Sequence, residues 1–194
     1  DPAWKPEDLG QPIPDSPHAV SVCMPTWQDV IDYEEGQPRV VDALSCGYPR
    51  FVIHPTVEEL FKKAEAEFAK RTQRAVVCPT QASAERCAIY IKAKTGLTSR
   101  VEPWLGELRV VVFNEKAWES AAKWWRFCGE VIGSRQAEAT LNDEPDSPAV
   151  GEDAKTMIKD RLAKLAGQER GDVFLYPSGC LLYTSPSPRD RVQS

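Results

Sequence analysis

The stretch TVEELFKKAEAEFAKRTQRAVVCPTQASAERCAIYIKAKTG, residues 56–96, decides how the chain folds. Thr56 followed three residues later by Glu59 has the form of a capping box, in which each side chain satisfies a backbone N–H that the first helical turn leaves free. Behind it Val57, Leu60, Phe61, Ala64 and Phe68 recur at helical spacing, which predicts a helix over 57–70. The run 74–78 (RAVVC) reads as a short strand, Pro79-Thr80 turns it, and 82–94 returns as a helix with Ala84, Cys87, Ala88 and Ile91 on one face. Gly96 is placed to end that helix.

The order then repeats. Residues 108–113 (LRVVVF) predict a buried strand, Asn114 an N-cap, and 115–127 a helix with Trp118, Ala121, Ala122 and Trp125 as its inner stripe. The alternation gives an α/β unit over 56–141. On the N-terminal side, nine of the 16 prolines fall within the first 55 residues. They predict an extended N-terminal arm over 1–55 with few places to sustain a helix. On the C-terminal side, 142–153 (NDEPDSPAVGED) has the composition of an exposed acidic linker. A helix over 154–166 follows, with Met157, Ile158, Leu162 and Leu165 inward and Gly167 as its stop. A strand over 172–176 (DVFLY) and a turn at Pro177-Ser178-Gly179 come last.

Composition narrows the function classes. The 194 residues are 42% hydrophobic and 27% charged, which is globular rather than disordered, and no apolar run approaches the roughly 18 residues of a membrane span. With 24 Lys plus Arg against 29 Asp plus Glu, the formal charge is −5, and no basic cluster is present to track a phosphate backbone; nucleic acid and membrane are not expected partners. Cys23, Cys46, Cys78, Cys87, Cys128 and Cys180 form no C-x-x-C pair and no secretory signal opens the chain, so reduced and mostly buried thiols are expected. His18 and His54 are far apart in the sequence, neither beside a Cys or carboxylate at ligand spacing, and no metal site is assigned.

Two segments carry chemistry: Gly47-Tyr48-Pro49-Arg50-Phe51-Val52-Ile53-His54-Pro55-Thr56 and Gly171-Asp172-Val173-Phe174-Leu175-Tyr176-Pro177-Ser178-Gly179. Taken singly they are ordinary: Tyr-Pro-Arg suits an extended turn with Arg50 stacked on an aromatic ring, and Ser-Gly suits any turn. Together they resemble the pyridoxal-phosphate enzymes of cysteine and methionine metabolism, in which a Tyr-x-Arg-x-x-Asn-Pro-Thr arm precedes a helix and a later strand ends in Ser-Gly-Met. The stretch from His18 to Leu60 is similar to the N-terminal part of the fungal-type cystathionine gamma-synthase family, and the likeness runs over roughly residues 9–179.

This resemblance implies a truncated fold type I, aspartate-aminotransferase-like chain: the arm, the first β-α units, and over 154–179 the start of a cofactor-binding large domain. It implies pyridoxal 5'-phosphate as cofactor, with Tyr48, Arg50, Ser178 and Gly179 at its phosphate. A planar guanidinium pairs with two phosphate oxygens, while Ser and Gly at a strand-to-helix turn offer an O–H and N–H groups. In the family the Tyr and Arg reach the neighbouring subunit's cofactor, which implies a homo-oligomer, a dimer or tetramer. The reaction implied is transfer in transsulfuration and methionine biosynthesis: an activated homoserine ester joined to cysteine by gamma-replacement, in the cytoplasm. His54 stands where the wider family has Asn, and Cys180 where it has Met. A catalytic member also needs a lysine for its cofactor, usually directly after Ser or Thr, and none of the 11 lysines here follows either. No catalytic residue is therefore assigned, and the chain by itself is expected to be inactive. Residues 180–194 (CLLYTSPSPRDRVQS) resemble translated adapter sequence and are expected to be a foreign tail that packs against nothing.

Other readings remain beside this one. The chain could be a non-catalytic α/β binding module, or part of a gamma-lyase or homoserine-ester sulfhydrylase, which share the Tyr-x-Arg and Ser-Gly elements. Trp118, Trp124 and Trp125 read as core, Glu34-Glu35-Gly36 as a solvated turn, and Cys78 and Cys87 as small hydrophobes.

Overall fold

The computed structural model describes residues 4–47, 52–144 and 148–179, and shows a mixed α/β chain with two small sheets. The N-terminal sheet pairs β1 (Pro12–Ile13) with β2 (Ser21–Val22) antiparallel. Two short helices follow, α1 (Trp27–Glu34) and α2 (Pro38–Val41). They correct the expectation of an extended arm over 1–55. Thr26 and Asp29 form a full capping box, the Asp29 N–H donating to Thr26 Oγ1 at 3.2 Å and the Thr26 N–H to the Asp29 carboxylate at 2.8 Å. The prolines do not oppose it, because Pro25 precedes the cap and Pro38 opens α2, a position where a missing N–H costs nothing.

The central unit begins with α3 (Pro55–Phe68), which buries Val57, Leu60, Phe61 and Ala64 as the spacing predicts. Its cap differs from the expected Thr56–Glu59 box. His54 is the N-cap, its Nδ1 accepting the Thr56 N–H at 3.2 Å, because Pro55 with its fixed φ takes the first helical position. Next come β3 (Gln73–Cys78), α4 (Gln81–Thr95), β4 (Arg100–Pro103) and β5 (Arg109–Asn114). Gly96 ends α4 with a left-handed φ of +73°. The sheet runs β3-β5-β4 and is antiparallel throughout, with Val76 opposite Val111 and Val101 opposite the same residue from the other side.

Central β5 buries four consecutive residues, Val110 to Phe113, so both faces of the sheet are covered. After a 3₁₀ turn capped by Asn114, α5 (Trp118–Cys128) packs on α4, and α6 (Ser134–Leu141) packs on α3. The buried stripe is Ala117, Ala121, Trp124 and Trp125; Trp118 and Ala122, expected inside, are half-buried, with the Arg74 guanidinium 4.2 Å from a Trp118 ring centroid. Opening with a 3₁₀ turn rotates the helix relative to a continuous α start, which brings Ala117 and Trp124 inward.

The C-terminal part departs most from expectation. α7 (Pro148–Ala166) begins inside the stretch read as a linker, with Pro148 at its start. Met157, Ile158, Leu162 and Leu165, expected inward, are exposed; Ala163 is the buried hydrophobic residue of this helix. Gly167 ends it at φ +63° as expected. Residues 172–176 are not a strand: a 3₁₀ turn (Arg170–Asp172) leads into an extended stretch that pairs with no described strand, and backbone without a ladder partner has no sheet to join. Cys23, Cys46, Cys78 and Cys87 are buried free thiols and Cys128 is a half-buried one, none of the five in a disulfide. No described helix is long and apolar enough to cross a membrane.

Candidate functional site

The two segments singled out by the sequence both approach the same stretch, residues 125–134, where α5 ends and α6 begins. Gly129 ends α5 in the left-handed region at φ +70°, which turns its carbonyl away from the helix and leaves it free to accept. Ser178 Oγ donates to that carbonyl at 2.8 Å. Beside it Glu130 forms a two-point ion pair with Arg86, the Arg86 Nε donating at 2.7 Å, and this ties the α5 end to α4. The Cys128 thiol accepts the Glu130 N–H at 3.3 Å, and burial pushes its pKa up to about 12. Cys87, hydrogen-bonded with Cys78 and buried, is pushed up further. Both are neutral thiols at physiological pH, packing groups rather than nucleophiles.

Of the four expected cofactor residues, Tyr48 and Arg50 lie outside the described residues, as does the tail 180–194. The other two are described: the Ser178 hydroxyl donates to the Gly129 carbonyl, and Gly179 is exposed, with open space where a Cβ would stand. Serine hydroxyl, glycine N–H and arginine are donors whose chemistry suits a phosphate.

A second cluster has no signature in the residue spacing. His18 and His54 stack at 6.0 Å between ring centroids, 28° apart in plane. His54 Nδ1 takes the Thr56 N–H, so its Nε2–H donates to the Pro17 carbonyl at 2.5 Å. This hydrogen bond pins the N-terminal segment to the start of α3. His18 bridges two residues of one α6 face: Nδ1 lies 3.0 Å from Ser134 Oγ and Nε2 lies 3.0 Å from the Glu138 carboxylate. Residues 134 and 138 share a face because four residues make about one turn, but nothing in that spacing names a histidine 116 positions away. The rings line a cavity of about 60 Å³ with Trp125, Ile132, Gly133 and Ser134. A larger groove of about 710 Å³ lies between the β4–β5 hairpin and α6, along Leu105, Leu108, Arg135 and Thr140, and contains no histidine or cysteine. Among the described residues no cluster of His, Cys, Asp and Glu could hold a metal ion.

Residues 56–133, from the first turn of α3 to the residue before α6, match the family model described as fungal trans-sulfuration enzyme, N-terminal domain. The cystathionine gamma-synthase of Saccharomyces cerevisiae is 30% identical over 185 residues, covering 86% of this chain and 27% of its own length. That of Neurospora crassa is 32% identical over 159 residues, covering 69% of this chain and 26% of its own. The cystathionine gamma-synthase-like protein ankD of Aspergillus thermomutatus is 31% identical over 226 residues, 89% of this chain and 40% of its own. Residues 56–133 thus match the N-terminal domain of fungal trans-sulfuration enzymes, and the chain spans about a quarter of the length of the two cystathionine gamma-synthases it is similar to. No solved structure matches it.

Proposed function

We propose that the protein of which these residues form the N-terminal region is a pyridoxal-phosphate-dependent cystathionine gamma-synthase, acting on an activated homoserine ester and cysteine. The observation that carries this is the 30% identity to a cystathionine gamma-synthase over 86% of the chain, which supports reading the Tyr48-Arg50 arm and the Ser178-Gly179 turn as that family's elements. When bound, the cofactor supplies an electron sink for chemistry at the gamma carbon. In this reading Arg50 and Tyr48 bind the phosphate across a subunit boundary, and Ser178 and Gly179 bind it within the subunit. Ser178 must then exchange its Gly129 acceptor for the phosphate, a rotation about one side-chain bond.

The test is a mixed dimer of the full-length protein, one subunit carrying Arg50→Ala and the other lacking the cofactor-anchoring lysine. If the arm crosses over, the one lysine-bearing site takes its arm from the partner and stays intact, and about half the wild-type activity returns. Activity no better than that of the Arg50→Ala homodimer overturns the crossover. Loss of one bidentate contact of about 1.5–3 kcal/mol weakens cofactor retention in that homodimer by roughly 10- to 150-fold. The 194 residues alone, incubated with pyridoxal phosphate and borohydride, are expected to trap no lysine stoichiometrically.

A further inference from the structure

Glu130 is charged, yet its side chain is only 15% exposed, and it stands one residue beyond the glycine that ends α5. Arg86 of α4, 44 positions earlier, holds it from outside: Nε and Nη2 of the guanidinium reach the two carboxylate oxygens, the first at 2.7 Å. A two-point pair of this kind fixes direction as well as distance. With Arg86 half exposed, its contribution to stability is small by the scale of surface ion pairs. Its geometric effect is larger, because residues 128–130 are secured from the inner side too. The Cys128 thiol accepts the Glu130 N–H at 3.3 Å and donates to the carbonyl of buried Trp125 at 3.7 Å. Gly129 lies between two anchored residues, and they set the direction of its carbonyl.

That carbonyl is where the Ser178 hydroxyl donates, at 2.8 Å and across 49 positions. The segment leading to Ser178 brings no sheet to the contact: residues 172–176 pair with no described strand, and Phe174 is 73% exposed. The Ser178-Gly179 turn therefore meets the α/β unit at a point that α4 and α5 hold still. A neutral hydrogen bond to a carbonyl is weaker than one to a dianion, so this docking does not trap the hydroxyl when a phosphate is offered. What it does is order the turn beforehand. Ordering costs conformational entropy, and a donor set ordered during folding binds more tightly than one ordered on binding.

We propose that Arg86 and Glu130 are positioning residues for the cofactor phosphate: their ion pair fixes the Gly129 carbonyl, which docks the Ser178-Gly179 turn in readiness for the anion. The inference rests on the reading of Ser178 and Gly179 as phosphate residues; neither Arg86 nor Glu130 is placed at the phosphate itself. The docking is measured first without cofactor, on the 194-residue chain, as the 15N order parameter of the Gly179 amide. A value near the rigid-backbone figure of about 0.85 is expected, falling below about 0.6 in Arg86→Ala, Glu130→Gln and Ser178→Ala. Arg86→Lys, which keeps the charge and loses the fork, falls between. Arg74→Ala breaks another ion pair between elements, Arg74 with Glu65 at 2.5 Å, and leaves Gly179 unmoved.

The second measurement is the dissociation constant of pyridoxal phosphate in the full-length protein, by equilibrium dialysis. Glu130→Gln and Arg86→Ala should weaken binding about threefold to tenfold, and the exchanged pair, Arg86→Glu with Glu130→Arg, should restore it. Unchanged Gly179 order in folded Arg86→Ala and Glu130→Gln overturns the proposal, as does a loss of order that Arg74→Ala shares. A Gly179 amide already mobile in the unaltered chain overturns it too. If the single variants do not fold, the exchanged pair decides: Gly179 ordered as in the unaltered chain supports the positioning role, and a mobile amide refutes it. Ser178→Ala that leaves cofactor retention unchanged overturns the phosphate reading, and the proposal with it, even where the chain shows the docking. Ser178→Ala that weakens retention while Glu130→Gln does not keeps the phosphate reading and overturns the positioning role alone.

Discussion

Helices α3 and α7 carry the same kind of sequence signal and meet opposite fates. In α3 the stripe Val57, Leu60, Phe61 and Ala64 is at most 6% exposed, because the β3–β5 sheet and α6 lie against it. In α7 the stripe Met157, Ile158, Leu162 and Leu165 leaves Met157 72% and Leu165 76% exposed, and the element packed most closely on that helix is the 3₁₀ turn that follows it. Periodicity specifies that a helix has an apolar face. It does not specify what covers it, and hydrophobic burial contributes only when something does.

The sharpest way to break this contrast is to truncate one large side chain on each side of it. Phe113, 1% exposed at the middle of the sheet, should lose about 3–5 kcal/mol of stability as Phe113→Ala, from lost transfer energy plus the cavity. Leu165→Ala should stay within about 0.5 kcal/mol of wild type. Denaturant unfolding of both variants measures it. A Leu165→Ala cost above about 2 kcal/mol would show that the α7 face is covered in solution, by the scale of buried truncations.

The same contrast explains what the sequence made legible. Strands β3 and β5 and helices α3 to α5 could be read because their apolar residues outnumber any alternative. β4 was hidden because Arg-Val-Glu-Pro is an edge strand, where charge and a proline are tolerated. α6 was hidden because it buries only Ala137. The α1 cap, Thr26 and Asp29, was present in the sequence but outweighed by a count of prolines whose positions, before a cap and at a first turn, are helix-compatible. In the candidate site, the Ser-Gly turn was legible as a motif, whereas the stacking of His18 on His54 is purely tertiary and no spacing encodes it.

A second test asks whether residues 4–47 belong to the ordered side of the contrast. Gly10 has φ +80°, and a Cβ there would stand 2.0 Å from the Ala43 carbonyl oxygen. Its N–H donates to Cys23 at 2.9 Å and its carbonyl accepts from the Ser45 hydroxyl at 3.0 Å. Gly10→Ala combines left-handed strain of about 1–3 kcal/mol with a backbone clash. Amide exchange should accelerate at Cys23 and Ser45 while β5 stays protected. Gly36→Ala, at φ +68° with nothing within 4 Å, isolates the strain from the clash and should cost less. Equal effects would mean that the Ala43 contact does not form.

The smallest expected effect is electrostatic and confined to α1 and α2. Arg39 pairs with Asp29 at 2.7 Å and with Asp32 at 2.6 Å, and Thr26 adds two hydrogen bonds to Asp29. The Thr26 and Arg39 hydrogen bonds hold the Asp29 carboxyl below its ordinary value, and those from Arg39 and Gln28 do the same for Asp32. A carboxyl whose pKa is lower folded than unfolded contributes stability that is fully present above the unfolded value. That contribution disappears as pH falls through the folded value, so the loss begins below about pH 4. Amide exchange along α1 should therefore quicken on acidification while β5 changes little, since no buried residue of that strand titrates. Asp29→Asn should flatten the pH dependence of α1 and weaken its cap already at neutral pH, because the amide keeps an acceptor for the Thr26 N–H but loses the charge that pairs with Arg39. An α1 whose exchange does not change between pH 6 and pH 3 would show that tertiary packing of Val40 and Cys23, not the charged cap, holds these helices in place.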